Sequence, residues 1–243
     1  MGAANVALRP VAIVQHAAGE GPGYFADWLD QQSQPWQCIA LDTGASLPRD
    51  PQAFSGLVFM GGAMSVNDPL PWIDRALRLI RACVAHDVPV LGHCLGGQLM
   101  AKAFGGVVQA NPVKEIGWAP VLIEDNGVAR HWFGETQRVE AFHWHGETFS
   151  VPPGGTRLAH SAHCANQAFS IGKHLGLQCH IEMTAQMVHD LCEAGRDEMQ
   201  AASTSPAVQS ATQMQRDLDA RIAALHALAD RIYRVWLSGL RLD

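Results

Sequence analysis

Four short apolar runs, VAIVQH (11–16), QCIALD (37–42), GLVFMGG (56–62) and VPVLGH (88–93), follow one another early in the chain, bounded by Gly, Pro or Asp. Near-continuous apolar stretches of this length are expected of strands buried on both faces. Helical segments lie between them. The clearest runs from Trp72 to His86, where Ile73, Ala76, Leu77, Ile80 and Val84 mark one face and Arg75, Arg78 and Arg81 the other. Strand–helix–strand repetition makes neighbouring strands parallel and puts helices on both sides, so the expected fold is α/β, an open mostly parallel sheet flanked by helices.

From about Val107 the texture changes. Further β-like pieces follow, IGWAPVLIE (116–124), RVEAFHWHGETF (138–149) and HLGLQCHIE (174–182), with the turn signal Pro152-Pro153-Gly154-Gly155 among them. After Thr184 the chain reads as helical, and Met214, Leu218, Ile222, Leu225, Ala229, Ile232 and Trp236 recur every three or four residues. Only Ala201 to Ser210 reads as a loose linker. Residues 1–190 are therefore expected to form one domain and residues 191–243 a helical C-terminal extension packed on it. The apolar stripe of that extension also leaves a homodimer seam open as an alternative.

A chain of 243 residues, 48% of them hydrophobic, can bury a sizeable core. The net charge of -6 is modest, and no Lys/Arg run interleaves with aromatics, which argues against nucleic acid as a direct ligand. No apolar run is long enough to span a bilayer. The N-terminus lacks the basic start and clean apolar core of a signal peptide, and Val6 stands where a myristoylation motif needs Ser or Thr. Six widely spaced cysteines without a C-x-x-C pair fit reduced thiols in the cytoplasm.

One of those cysteines sits where the fourth apolar run meets a helix-like run, in VPVLGHCLGGQLMAKAFGG (88–106). In an open α/β sheet, catalytic groups gather at the carboxyl ends of strands, and a sharp strand-to-helix turn lifts one side chain into the crevice. Gly92, Gly96 and Gly97 permit such a turn. Cys94 would then stand at a helix N-terminus, where unpaired N–H groups favour a thiolate and the Leu95 N–H can meet an oxyanion. The plainer reading is a buried structural thiol.

A cysteine nucleophile needs a histidine, and the histidine needs a carboxylate to hold it. His180 and Glu182 supply that pair in LGLQCHIEM, and His145 and Glu147 repeat the spacing in HWHGE. Spacing alone does not choose between them. His143, His145, His160, His163 and Cys164 fit no common zinc spacing, so neither metal nor cofactor is expected.

Taken together these segments resemble the class I, triad-type glutamine amidotransferases. GHCLGGQ matches their Gly-x-Cys-x-Gly-x-Gln elbow, and GLQCHIE is similar to their Gly-Val-Gln-Phe-His-Pro-Glu segment. MGGAMS (60–65) resembles the Gly-Gly-Pro turn after strand three. EIGW (115–118), FHWHGETF (142–149) and NQAF (166–169) resemble the stand-alone group related to the amidotransferase domain of GMP synthase. The likeness spans roughly residues 10–190 and implies the flavodoxin-like fold of that family.

It also implies roles. Cys94 would be the nucleophile, His180 the acid/base and Glu182 its orienting carboxylate. The oxyanion hole would use the N–H groups of Gly62 and Leu95. Gln98 and the backbone of His145, Gly146 and Glu147 would hold the amino-acid end of the substrate. The implied substrate is glutamine or another γ-glutamyl compound, with ammonia passing to a separate synthetase subunit. A γ-glutamyl peptide or amide hydrolase with the same triad, and a non-catalytic binding protein on this fold, are the alternatives. Ala63 stands for the usual proline, Gly97 for a common histidine, and Cys179 and Ile181 for the Phe and Pro around the triad histidine. None of these departures removes a triad group.

Overall fold

The structure, a computed structural model, describes residues 8–241; the readings of the N-terminal leader and of Val6 lie outside them. The described strands are β1 (Val11–Gln15), β2 (Trp36–Ala40), β3 (Gly56–Phe59), β4 (Val90–His93), β5 (Val108–Ile123), β6 (Arg138–Phe149), β7 (Thr156–Ser161), β8 (Ala168–Ile171) and β9 (His174–Leu177). They form one sheet in the order β2-β1-β3-β4-β9-β8-β7-β5-β6. The four apolar runs are β1 to β4, all parallel, and β9 inserts parallel to β4. Beyond β9 the pairings turn antiparallel.

The helices are α1 (Tyr24–Gln31), α2 (Pro71–Ala85), α3 (Leu95–Ala103), α4 (Gly127–Phe133), α5 (Ala185–Ala194), α6 (Arg196–Ala201), α7 (Ala211–Met214) and α8 (Leu218–Leu237). Successive strand side chains point to opposite faces, which is why the central runs are apolar throughout. Val11, Ile13, Val58 and Leu91 join one core with Phe25, Trp28, Ile232, Tyr233 and Trp236 of α1 and α8. Ala12, Val14, Leu57, Phe59 and Val90 join the other with Ile73, Ile80 and Leu99 of α2 and α3. All seven residues of the C-terminal stripe are buried, so α8 serves the chain's own core.

Three details differ from the sequence reading. Val84 is 36% exposed, and the buried face of α2 runs instead through Leu79 and Cys83. Strand β5 begins at Val108, well before Ile116, because a bulge between Ala110 and Glu115 carries the pairing with β6 past Pro112. The segment read as a linker is docked: Ile116 bonds Ala207 and Gln209 through the main chain, and the Gln209 amide bonds both Trp118 main-chain groups. It fills an edge of β5 that β7 leaves open, since β7 pairs only Val121 to Ile123.

The contact of α3 with the sheet depends on glycine. A Cβ on Gly96 would overlap the carbonyl oxygen of Phe59 in β3. Gly96→Ala is therefore expected to destabilise the fold by about 1–3 kcal/mol, seen as a lower urea midpoint at constant slope. An unchanged midpoint would refute this close packing.

Candidate active site

Cys94 is the single residue between β4 and α3. Its backbone, at φ 48° and ψ -106°, lies in a region that residues with a Cβ rarely use. The surrounding fold holds it there: the Cys94 N–H donates to Leu177 O at 2.9 Å, and the Gln98 N–H donates to Cys94 O at 3.0 Å. The strained turn lifts the thiol beyond the end of β4, at the first turn of α3. Its Sγ accepts from the Gln178 amide at 3.6 Å and faces Trp144 O at 3.8 Å.

Because β9 lies against β4, the residues just past its end arrive beside this elbow. His180 is fixed by its main-chain N–H to Phe142 O at 2.8 Å. Its Nδ1 is 2.7 Å from Glu182 Oε1, while its buried Nε2 has no hydrogen-bond partner. The second carboxylate oxygen of Glu182 lies 3.7 Å from Nε2 of His93, and that nitrogen is 3.3 Å from the Tyr233 hydroxyl of α8. Burial opposes charge on both triad partners, but their mutual attraction wins. It holds His180 well above its ordinary value, with Cys94 adding to the pull, and with His93 it holds the Glu182 carboxyl down at about 2.

Cys94 and His180 line a cavity of about 670 Å³ together with Gly62, Gln98, His145, Gly146 and Glu147. Glu182 stands behind His180, and the Leu95 side chain packs into the core below Gly62. Gln98 Nε2 donates to Glu147 O at 3.3 Å and to Gln178 Oε1 at 3.2 Å. His145 Nδ1 lies 3.0 Å from Glu147 O, and its Nε2 faces Glu115 Oε2 at 3.0 Å as an ion-pair contact without hydrogen-bond alignment. Its side chain thus braces strand β6, whose backbone faces the cavity.

Glu115, His145 and Cys164 place donor atoms within 4.8 Å of one another. Glu115 is already taken up by Ser161 Oγ at 2.7 Å and Gln167 Nε2 at 2.8 Å, so this group reads as a buried hydrogen-bond network. The predicted triad and substrate residues therefore converge, while three neighbours were not singled out in the sequence. Gln178 lies inside GLQCHIE, and His93 directly precedes Cys94. Glu20 lies in the loop after β1, where the rule that ligands gather at strand carboxyl ends would have pointed.

Residues 35–190 match the family described as Glutamine amidotransferase class-I. The chain belongs to that family, whose members are cysteine-nucleophile amide hydrolases. It is 30% identical over 214 residues to the glutamine amidotransferase-like protein YfeJ of Salmonella typhimurium, covering 84% of this chain and 88% of that one. The crystal structure of a glutamine amidotransferase from Methylobacillus flagellatus has a TM-score of 0.95 and 45% identity, covering 98% of this chain and 97% of the other. A GMP synthase of Aromatoleum aromaticum is 28% identical over 170 residues, 59% of this chain but only 30% of the synthase.

Proposed function

We propose that this chain hydrolyses the side-chain amide of glutamine through Cys94, His180 and Glu182. The carrying observation is His180, fixed on one nitrogen by a buried carboxylate and unpartnered on the other, in the same cavity as a thiol on a strained elbow. The thiolate attacks the amide carbon, and the N–H groups of Gly62 and Leu95 receive the oxyanion. His180 gives its proton to the departing nitrogen, and water then cleaves the γ-glutamyl thioester to glutamate. Gln98 and the segment from His145 to Glu147 hold the amino-acid end. Residues 191–243 act as a layer of the same domain, and the setting is the cytoplasm.

The ammonia goes to a separate synthetase. This reading is supported by the likeness to one part of a GMP synthase, most of whose length has no counterpart here. Slow basal activity follows if the turn Gly61-Gly62-Ala63 rotates one peptide away from the oxyanion, since glycine tolerates either sign of φ. Losing one such donor costs roughly two to three orders of magnitude in kcat. The purified chain is thus expected to release ammonia from glutamine slowly and to accelerate when the right synthetase is added. A cavity larger than glutamine requires favours one rival, a γ-glutamyl peptide or amide hydrolase. Rapid hydrolysis of a γ-glutamyl peptide with glutamine left untouched would establish that rival.

A further inference from the structure

We propose that the cavity beside the triad also takes γ-glutamyl amides whose leaving amine carries a second, positive charge, and that Glu20 selects them. The inference rests on the acyl-transfer reading above. It begins with where Glu20 lies. A Cβ built on Gly61 would overlap Glu20 Oε2 and stand 3.2 Å from His180 Cε1, so the carboxylate and the His180 ring flank the same glycine, and both line the cavity that holds Cys94. An amine that takes its proton from His180 therefore departs into a space that Glu20 also lines. Gln98 and Glu147, assigned above to the amino-acid end of the substrate, line the same cavity.

The Glu20 carboxylate makes no hydrogen bond or ion pair with any described residue. Burial, together with the charges of Glu182 and Glu198, raises its pKa in spite of His180. A half-buried carboxylate without a partner is costly, and a cation is what relieves it. Asp190 and Glu198 line the same space. Lys114, the lysine in this lining, is taken up by Glu198 at 2.5 Å, and the charge of His180 faces Glu182. Trp144 is held along this wall by its indole N–H donating to Glu198 at 2.8 Å, which offers an aromatic surface to an ammonium. The volume of about 670 Å³ is in the range that holds drug-sized ligands, so an amine with an alkyl spacer and a distal ammonium fits beside the γ-glutamyl group.

The chemistry needs nothing new. Sulfur of Cys94 bonds to the γ-carbonyl carbon, the carbon–nitrogen bond breaks, and the nitrogen takes a proton from His180 Nε2. The amine leaves with its distal ammonium intact. Water then adds to the thioester, returning the thiol and releasing glutamate.

The test compares a γ-glutamyl diamine with a γ-glutamyl n-alkylamide of equal length, in the wild-type chain and in Glu20→Gln. The readout is the ratio of the two kcat/KM values within each protein, which a general loss of activity does not move. A charge-assisted contact should favour the diamine by about tenfold or more in the wild type, and the ratio should fall toward one in the variant. A second measurement serves if turnover is slow: protection of Cys94 against a glutamine-like diazo ketone should be stronger with the diamine amide than with its neutral counterpart. Labelling with equal protection by both compounds, or a wild-type ratio near one, overturns the proposal and leaves the glutaminase reading standing. If Cys94 is not labelled at all, the acyl-transfer reading fails and this proposal with it.

Discussion

Cys94→Ala is expected to lower ammonia release from glutamine by about 10⁴-fold or more, since a triad without its nucleophile retains only binding and oxyanion contacts. The wild-type thiol should be alkylated by a glutamine-like diazo ketone or chloroketone ahead of the other five cysteines. Those five have physical reasons to lag. Burial pushes Cys83 up to about 12 and Cys179 higher still, and it also raises Cys164 and Cys192. Cys38 is exposed but lies outside the cavity, where burial of its thiol and Asp42 raise its pKa too. Peptide mass spectrometry after labelling decides the matter. Preferential modification elsewhere, or unchanged turnover in Cys94→Ala, would remove the assignment.

The second large effect separates the two histidine–glutamate pairs. His180→Ala should abolish both acylation and turnover, a loss of about three orders of magnitude or more in kcat. His145→Ala should mainly raise KM, because its ring nitrogens face the Glu147 carbonyl and the Glu115 carboxylate, each at 3.0 Å. The pH dependence has a definite sign. Glu182 helps hold His180 protonated well above its usual range, so acylation should persist through neutrality and fall only as pH rises through that elevated value. Glu182→Gln removes the charge and should move the alkaline limb toward lower pH. Single-turnover ammonia release against pH shows the shift; an unmoved limb would mean that Glu182 does not set the protonation of His180.

Much of this arrangement could be read from the residues. The runs ending at Gln15, Phe59 and His93 became strands covered on both faces, which erases polar alternation and leaves apolar blocks, whereas β2, expected to be buried as well, lies at the sheet edge and leaves Gln37 and Cys38 exposed. The elbow was legible because glycines must stand where α3 meets β3 and β4, and Gly96 against Phe59 O shows why. The strand that holds His180 was harder. A short apolar run does not say which strand it will pair with, and β9 next to β4 is a long-range choice made by the whole sheet. The start of β5 was read only from Ile116 because its earlier residues pair across a bulge, and the polar look of residues 201–210 concealed main-chain bonds to Ile116. Glu20 carried no motif. Its importance comes from the proximity of a loop after β1 to a glycine after β3, which no local pattern records.

The insertion of β9 beside β4 also governs when reactivity can arise. All of β5 to β8 lies between these two strands in the chain, yet none of it lies between them in the sheet. During synthesis Cys94 emerges long before His180, and the two meet only after the antiparallel half has turned back to close a long loop. A nascent or truncated chain that stops short of β9 carries Cys94 without His180, on an elbow that still lacks the Leu177 carbonyl holding it in place. Assembly order therefore keeps Cys94 apart from His180 until β9 has joined the sheet.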